Sequence, residues 1–322
     1  MVERTLTVRV ARIRRETPEI LSFELAHPWG RELPGFEAGA HIDVKMPGGF
    51  ARQYSLARAP GMDGGDGRYL IGVKREGASR GGSASMHERV REGDLLPISA
   101  PRNTFPVQAD GRRHLLLAGG IGMTPLLAMA QHLARRGADF TLCVFARSRE
   151  HLAFADALAA PELAPHVRLH LDDGASANEK IDLAALLRAH EDGTHLYMCG
   201  PAGFMAAVRK AASHWPEEAV HAEYFAAPSD SSVPAGRPFS LRLTQRGFSV
   251  PVAADQSAVD ALHDFGIDIP VSCEQGLCGT CVVPAEGEGA EHRDFCLTSA
   301  ERQHKVALCC SRAREQELVV HL

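Results

Sequence analysis

Cys273-Glu-Gln-Gly-Leu-Cys278-Gly-Thr-Cys281, with Cys309-Cys310 following near the end of the chain, is the stretch on which the reading of this protein turns. Its intervals, C-x4-C-x2-C and then a long gap, are those of a plant-type [2Fe–2S] site. Thiolates are soft ligands suited to iron, and one loop can aim three of them inward only where its backbone bends sharply. Gly276 and Gly279 permit that bend. A structural zinc site is the competing reading, but zinc ribbons usually show paired C-x2-C spacings; disulfides are the other. Six of the eight cysteines fall in the last 50 residues, so the concentration belongs to this region and not to composition. On spacing, either Cys309 or Cys310 closes the site, and Cys296 reads as a bystander.

Upstream, Ala226-Ala-Pro-Ser-Asp-Ser-Ser-Val-Pro-Ala-Gly236 is small, polar and proline-containing, the texture of a linker. Before it, from 114 to about 226, strand-like runs alternate with helical ones. The strand candidates are His114–Ala118, Phe140–Phe145, Val167–Leu171 and His195–Cys199, and the alternation reads as a parallel α/β sheet. Up to residue 108 the chain has short alternating runs, Leu6–Val10 and His41–Met46 among them, broken by Gly and Pro. These predict antiparallel strands in a barrel. No internal repeat is evident.

At 322 residues, two or three domains are expected. Hydrophobic residues make up 45% and charged residues 23%, ordinary globular usage that can fill separate cores. The N-terminus lacks the apolar h-region of a signal peptide, and no run approaches the ~18 apolar residues of a membrane span. A cytoplasmic, reducing location is therefore expected, where thiolate clusters survive. Residues 1–108 carry 16 basic against 13 acidic side chains, residues 109–236 carry 11 against 15, and residues 237–322 carry 8 against 12. A mildly basic front joined to two acidic portions argues against nucleic-acid binding, which calls for a clustered basic face.

The apolar run ending at Ala118 leads into Gly119-Gly-Ile-Gly122-Met-Thr-Pro125 and then a helix. Thr124 is placed to cap that helix with Pro125 at its first position, and the glycines let a pyrophosphate approach backbone N–H groups at the positive helix end. Cys199-Gly-Pro201 ends a later strand. In the front region stand Arg52-Gln-Tyr54-Ser55-Leu56, Gly72-Val-Lys74-Arg75 and Arg80-Gly81-Gly82-Ser83. Arginine pairs with phosphate, tyrosine lies beside aromatic rings and serine bonds a ring nitrogen, though each triplet alone fits ordinary core or surface use.

The order of Arg52-x-Tyr54-Ser55-Leu56, Arg80-Gly-Gly-Ser83, Gly119-Gly-Ile-Gly122-x-Thr-Pro125, Cys199-Gly-Pro201 and a C-terminal plant-type cluster resembles the phthalate dioxygenase reductase family, which includes vanillate demethylase reductases. The resemblance covers nearly the whole chain. It implies an antiparallel flavin-binding β-barrel over residues 1–108, a Rossmann-like parallel α/β NAD(P)H domain over 109–228, a linker over 229–236 and a β-grasp plant-type ferredoxin domain over 237–322. By the same resemblance Arg52 and Arg80 hold the phosphate of FMN, with Gly81, Gly82 and Ser83 adding loop contacts. Tyr54 and Ser55 face the isoalloxazine and Lys74 lines its edge. Gly120, Gly122 and Thr124 bind the nicotinamide dinucleotide, Cys199 lies near its reacting carbon, and Phe225 stacks on the flavin until nicotinamide displaces it. The family pattern Cys-x-Ser-Arg favours Cys309 as fourth ligand beside Cys273, Cys278 and Cys281. Arg80 and Pro101-Arg-Asn-Thr-Phe105 resemble the FMN-bearing branch, so FMN is expected and not FAD.

A nicotinamide gives up two electrons as hydride and the cluster takes one, so a flavin, which exchanges either number, stands between them. Ser55 and Cys199 are then orienting groups. Arg147-Ser-Arg149 would favour a 2′-phosphate, whereas Asp172-Asp173 would bond a ribose hydroxyl and repel one. Family tendency selects NADH, with Asp173 as the ribose contact. The resemblance implies a monomeric reductase whose electron acceptor is a Rieske-type oxygenase. The organic substrate belongs to that partner. Two rivals stand beside it: a reductase of the same build serving a haem monooxygenase or another ferredoxin-dependent acceptor, and a non-enzymatic iron–sulfur redox sensor. The docking rim is expected at Glu274, Gln275 and Leu277.

Overall fold

Alternation along Leu6-Thr-Val-Arg-Val10 puts Val8 and Val10 wholly inside while Thr7 and Arg9 face out, the period of a half-buried strand. The computed structural model describes residues 5–61, 67–77, 81–173, 181–225 and 236–322. In it that run opens β1 (Leu6–Arg15), followed by β2 (Ile20–Ala26), β3 (His41–Met46), β4 (Phe50–Ser55), β5 (Tyr69–Lys74), helix α1 (Gly82–Arg89) and β6 (Leu95–Ile98). The strands form one antiparallel sheet in the order β4-β3-β6-β1-β2-β5. Its two edges meet where Leu56 bridges Ile71 and the Ala57 amide donates to the Leu70 carbonyl, so the sheet closes nearly into a barrel. Phe23, Leu25, Ile42, Val44, Tyr69 and Met86 fill it.

The next run is more continuously apolar, as a strand covered on both faces must be. It comprises β7 (Arg113–Gly119), α2 (Met123–Arg135), β8 (Asp139–Ala146), α3 (Ala155–Leu158), β9 (Val167–Leu171), α4 (Leu183–Leu186), β10 (Thr194–Cys199), α5 (Ala202–Ala211) and β11 (Val220–Glu223). All pairings are parallel, in the order β11-β10-β7-β8-β9. Helix α2 buries ten of its thirteen residues in a core shared by this sheet and by Ile20, Ala38 and Ala57 of the preceding residues, which makes it a central packing element of the unit.

Two compact units result, Met1–Glu223 and Tyr224–Leu322. The first holds both barrel and parallel sheet, so the boundary expected at 108/109 falls between β6 and β7 inside it. Of the expected linker, residues 229–235 lie outside the described residues.

The second unit contains β12 (Phe239–Leu243), β13 (Phe248–Val252), α6 (Ala258–Asp264), β14 (Val282–Pro284), β15 (Ala290–Glu291), β16 (Lys305–Ala307), β17 (Arg312–Ala313) and β18 (Glu317–Val320). β12 pairs antiparallel with β13 and parallel with β18, and β14–β16 and β15–β17 form two small antiparallel pairs. Helix α6 starts at a capping box in which Ser257 Oγ accepts from the Asp260 amide and Asp260 reaches back. It buries Val259 and Leu262 with Leu241, Val250, Val306 and Leu318, a mixed sheet gripping one helix. Among the described residues no helix is long and apolar enough to cross a membrane.

Candidate functional site

On β4, Arg52 and Tyr54 share one face and Ser55 takes the other; Ser55 and Tyr54 pair with His41 and Ile42 on β3. The Gly81-Gly82 turn packs directly on this strand. Gly81 has φ +91°, and a Cβ there would lie 2.4 Å from Phe50 Cζ; one on Gly82 would lie 2.8 Å from Arg52 Cγ. Only glycines let the start of α1 sit so close. That start has no side-chain cap and no acidic residue in its first turn, and the Arg52 side chain stands against it. A helix N-terminus beside a guanidinium is a fit for a phosphate monoester. Arg52 Nη1 donates to the Ala51 carbonyl at 2.7 Å, Ser83 Oγ accepts from the Glu76 amide at 3.1 Å, and Lys74 Nζ pairs with Glu76 at 2.9 Å. Arg80 lies outside the described residues.

Ser55 is buried, and its hydroxyl donates to Glu223 Oε2 at 3.0 Å across 168 residues of sequence. Glu223 ends β11, in register with Cys199 at the end of β10. Three of the polar groups facing this point thus come from the barrel and from the carboxyl edge of the parallel sheet, the edge where open α/β sheets bind their ligands. The Glu223 carboxyl is enclosed although the residue as a whole is half-buried, and burial pushes its pKa up to about 7, with the Ser55 hydrogen bond acting the other way. The Cys199 thiol is fully buried and held well above its ordinary value, first by burial and then by Glu223. A neutral thiol is a poor nucleophile, so Cys199 can shape and orient but is not set up to attack.

β7 turns through a 3-10 segment, Gly120–Gly122, into α2. Gly120 takes φ +53°, and a Cβ on Gly122 would fall 2.2 Å from the Cys199 carbonyl oxygen, so the turn after β7 meets the end of β10 backbone to backbone. Thr124 does not cap the helix as its position in sequence suggests. The helix begins at Met123 with Gly122 as its cap, and Thr124 Oγ1 donates back to the Ile121 carbonyl at 3.1 Å. Asp173 is exposed just beyond β9, and Phe225, two residues past Glu223, is 43% exposed. Glu223 was not singled out by sequence reading. Its signal was faint: one acid at the end of a parallel strand, within the same His221–Phe225 stretch as Phe225.

In the second unit the thiols of Cys273, Cys278, Cys281 and Cys309 meet. Cys273 shares thiol hydrogen bonds with Cys278 and Cys309, and Cys281 with Cys309. The loop supplies the donors that thiolates need. The amides of Gln275, Leu277 and Cys278 point at Cys273 Sγ at 3.4, 3.3 and 3.4 Å, the Gly276 amide at Cys309 Sγ at 3.3 Å, and the Thr280 amide at Cys278 Sγ at 3.5 Å. Glu274, Gly276 and Gly279 take φ of +55°, +72° and +71°, which is the sharp bend expected of the loop. Cys310 Sγ is shared between the Ala307 carbonyl at 3.8 Å and Cys309, and Cys296, raised to about 12 by burial and then by Asp294, donates to Asp294 Oδ2 at 4.0 Å. Among the described residues no three His, Cys, Asp or Glu side chains surround a single ion. The hydrogen-bonded sulfurs form one chain, Cys278–Cys273–Cys309–Cys281, and four thiols brought together in this way fit a binuclear cluster, which takes two protein ligands on each iron.

A reductase-type barrel, a parallel sheet with its carboxyl edge set for a dinucleotide and a four-thiol β-grasp unit define an oxidoreductase that passes electrons from a pyridine nucleotide to [2Fe–2S]. The 2Fe-2S iron-sulfur cluster binding domain family matches residues 241–314, and the N-terminal domain family of DmmA-like dimethylamine monooxygenase subunits matches residues 99–218. The vanillate O-demethylase oxidoreductase of Pseudomonas sp. (strain HR199 / DSM 7063) is 45% identical over 321 residues, covering 98% of this chain and 100% of the relative. The solved phthalate dioxygenase reductase, described as a modular structure for electron transfer from pyridine nucleotides to [2Fe–2S], is 37% identical with a TM-score of 0.71, covering 99% of this chain and 98% of that one. An intact type IV self-sufficient cytochrome P450 monooxygenase is 36% identical with a TM-score of 0.88; it covers 99% of this chain, which spans 41% of that protein's length. The chain belongs to the family of phthalate dioxygenase reductase-like oxidoreductases.

Proposed function

We propose that this protein is the reductase component of a two-component Rieske-type oxygenase or demethylase, taking electrons from NADH through FMN to a [2Fe–2S] cluster and passing them on singly. The observation that carries this reading is the four-thiol cage, with its backbone donors, on a chain whose other unit presents Ser55, Cys199 and Glu223 at a sheet edge. FMN, when bound, supplies the conversion of a two-electron donor into single electrons.

In this reading Arg52 and Arg80 hold the FMN phosphate with Gly81, Gly82 and Ser83, and Tyr54, Ser55 and Lys74 border the ring. Gly120, Gly122, Thr124 and Asp173 take the dinucleotide. Ser55 orients the flavin, Cys199 fixes the nicotinamide face, and Phe225 covers the ring until nicotinamide arrives. Glu223 joins this set by holding a proton next to Ser55. Cys273, Cys278, Cys281 and Cys309 hold the cluster. The functional modules are a flavin module over 1–108, a dinucleotide module over 109–228 and a ferredoxin module over 237–322, in a monomer. The NADH preference draws support from Arg147, whose guanidinium is paired with Glu19 at 2.8 Å and so is engaged away from a 2′-phosphate.

A haem acceptor is the second reading, favoured by the likeness over 99% of this chain to a self-sufficient P450. Anaerobic titration of the purified protein with NADH, followed by identification of the released flavin, tests the cofactors. Bleaching of both flavin and iron–sulfur absorbance with release of FMN is expected; a colourless protein, or zinc in place of iron, overturns the reading. Reduction rates with a purified Rieske oxygenase and a purified P450 decide between the acceptors. A redox sensor would show no rapid NADH turnover with artificial acceptors.

A further inference from the structure

Behind the cysteine loop lies an ionic group that the electron path does not otherwise use. The Asp294 side chain is wholly buried. Its Oδ2 accepts from the Leu297 amide at 3.0 Å and from Arg302 Nη2 at 3.4 Å, and its Oδ1 lies 3.3 Å from His292 Nδ1. Arg302 Nη2 also donates to the Asp294 carbonyl at 2.5 Å, and His292 Nε2 lies 3.0 Å from the Arg302 carbonyl. Buried ion pairs contribute little net stability, because desolvation offsets their attraction. What such a closed ring of contacts does supply is a fixed position for the backbone that carries it.

That backbone abuts the cluster loop. A Cβ on Gly276 would come within 2.9 Å of Asp294 Cα, and the Phe295 amide donates to the Gly276 carbonyl at 2.9 Å. Gly276 is the residue whose own amide donates to Cys309 Sγ at 3.3 Å. The contacts thus run without a break from the Asp294 carboxylate, through Phe295 and Gly276, to a cluster sulfur. Hydrogen bonds to ligand sulfurs stabilise the more negative, reduced cluster and so raise its potential, and groups one step removed from the ligands commonly set such bonds.

We propose that the Asp294–His292–Arg302 network is a latch that holds the Gly276 amide on the Cys309 sulfur and thereby sets the reduction potential of the cluster. Asp294 is a positioning residue for electron transfer in this scheme, which rests on the reading of Cys309 as a cluster ligand. Asp294→Asn removes the charge but leaves an oxygen for the Leu297 amide; Asp294→Ala removes both. Loss of charge alone shifts the two variants equally and upward. Loss of the latch shifts only Asp294→Ala, and downward.

The test is an EPR-monitored redox titration of the loaded full-length proteins, with hydrogen–deuterium exchange of the peptide containing Gly276. The latch requires Asp294→Ala to titrate below Asp294→Asn by about tenfold in the reduced-to-oxidised ratio, ~59 mV for a one-electron couple. It also requires faster exchange of that peptide in Asp294→Ala. One shared midpoint for both variants overturns it. Should Asp294→Ala hold no cluster, Asp294→Glu keeps the charge and displaces the carboxylate by one methylene; a midpoint below wild type supports the latch, and a wild-type midpoint overturns it. Failure of the cluster reading looks different: wild-type protein without iron and labile sulfide, or Cys309→Ser with an unaltered reduced-state EPR spectrum.

Discussion

Glu223→Gln isolates the enclosed acid of the first unit. The Glu223 pKa is raised from its ordinary 4.5 to about 7, chiefly by burial. The folded protein therefore keeps this proton over a pH range in which the unfolded chain has lost it. Below pH 4.5 the group is protonated in both states and costs nothing; as pH rises from there, folding is penalised until the folded group ionises too. Over that interval, at about 1.36 kcal/mol per pH unit, the penalty reaches roughly 3 kcal/mol. Glutamine cannot ionise and still offers an oxygen to the Ser55 hydroxyl. Glu223→Gln is thus expected to match wild type in thermal stability near pH 4.5 and to exceed it at pH 8. At about 2–4 °C per kcal/mol for a unit of this size, the gap at pH 8 is on the order of 6–12 °C.

The assay is calorimetry of both proteins across that pH range, following the transition of the first unit, with difference infrared spectra to see the carboxylic acid directly. A protonated carboxyl band titrating near pH 7 in wild type, and absent from Glu223→Gln, identifies the group. Equal stability increments at pH 4.5 and pH 8 would refute the reasoning, because a packing effect has no reason to follow this proton. So would a carboxyl band that titrates near 4.5.

Cys309→Ser is expected to lose iron and labile sulfide, while Cys310→Ser retains both at wild-type levels, since the loop amide of Gly276 is aimed at Cys309 Sγ; iron and sulfide assays on the purified variants decide it. His41 is buried at 4% exposure and its pKa is lowered to about 4, by burial and then by Arg102. Above pH 6.5 its imidazole is neutral in both states, and as pH falls toward 4 only the unfolded chain gains the proton, so up to about 3 kcal/mol of stability is lost. His41→Gln should flatten that acid slope in a denaturant titration repeated at several pH values. Glu274 is exposed at the tip of the cluster loop, and Glu274→Lys is expected to slow reduction of the oxygenase by roughly 2- to 10-fold, as a charge at a docking rim does, with flavin reduction by NADH unchanged in stopped flow. Equal slowing of both steps would place Glu274 outside the docking rim.

The sequence was legible where one local pattern had one structural outcome. Strands β3 and β9 run over the residues that alternation predicts, and Gly276 and Gly279 take the positive φ that the tight cysteine loop demands. Reading failed where the deciding partner is remote. Thr124 follows a glycine run and precedes a proline, which is the local signature of a cap. Its methyl instead meets barrel residue Gly72, where an added Cβ would lie 2.8 Å away, and the preceding 3-10 turn has already used the residues before it. Glu223 and Asp294 look like solvated acids in sequence. One is enclosed by a serine 168 positions earlier and the other by a turn that closes on itself, and neither enclosure leaves a periodicity to read.

The two ends of the electron path ask opposite things of the same side chain. Beside the site proposed for hydride transfer, a thiolate would place a negative charge and a nucleophile against an electrophilic nicotinamide ring. Cys199 escapes this because it is sealed at the end of β10 with Glu223 in register beside it, and both burial and that neighbour keep its proton on. At the other end a thiol that kept its proton could not bind iron. There the chain turns three amides toward Cys273 and one toward Cys309, and it can do so only because Glu274, Gly276 and Gly279 leave the ordinary regions of backbone space. Amide donors aimed at sulfur, which the cysteine loop supplies, therefore distinguish this site from Cys199; burial alone does not, since Cys273, Cys278 and Cys309 are also held above their ordinary value. A change that admitted amide donors or water to Cys199, or that straightened the 274–279 loop, would disable one end and leave the other intact.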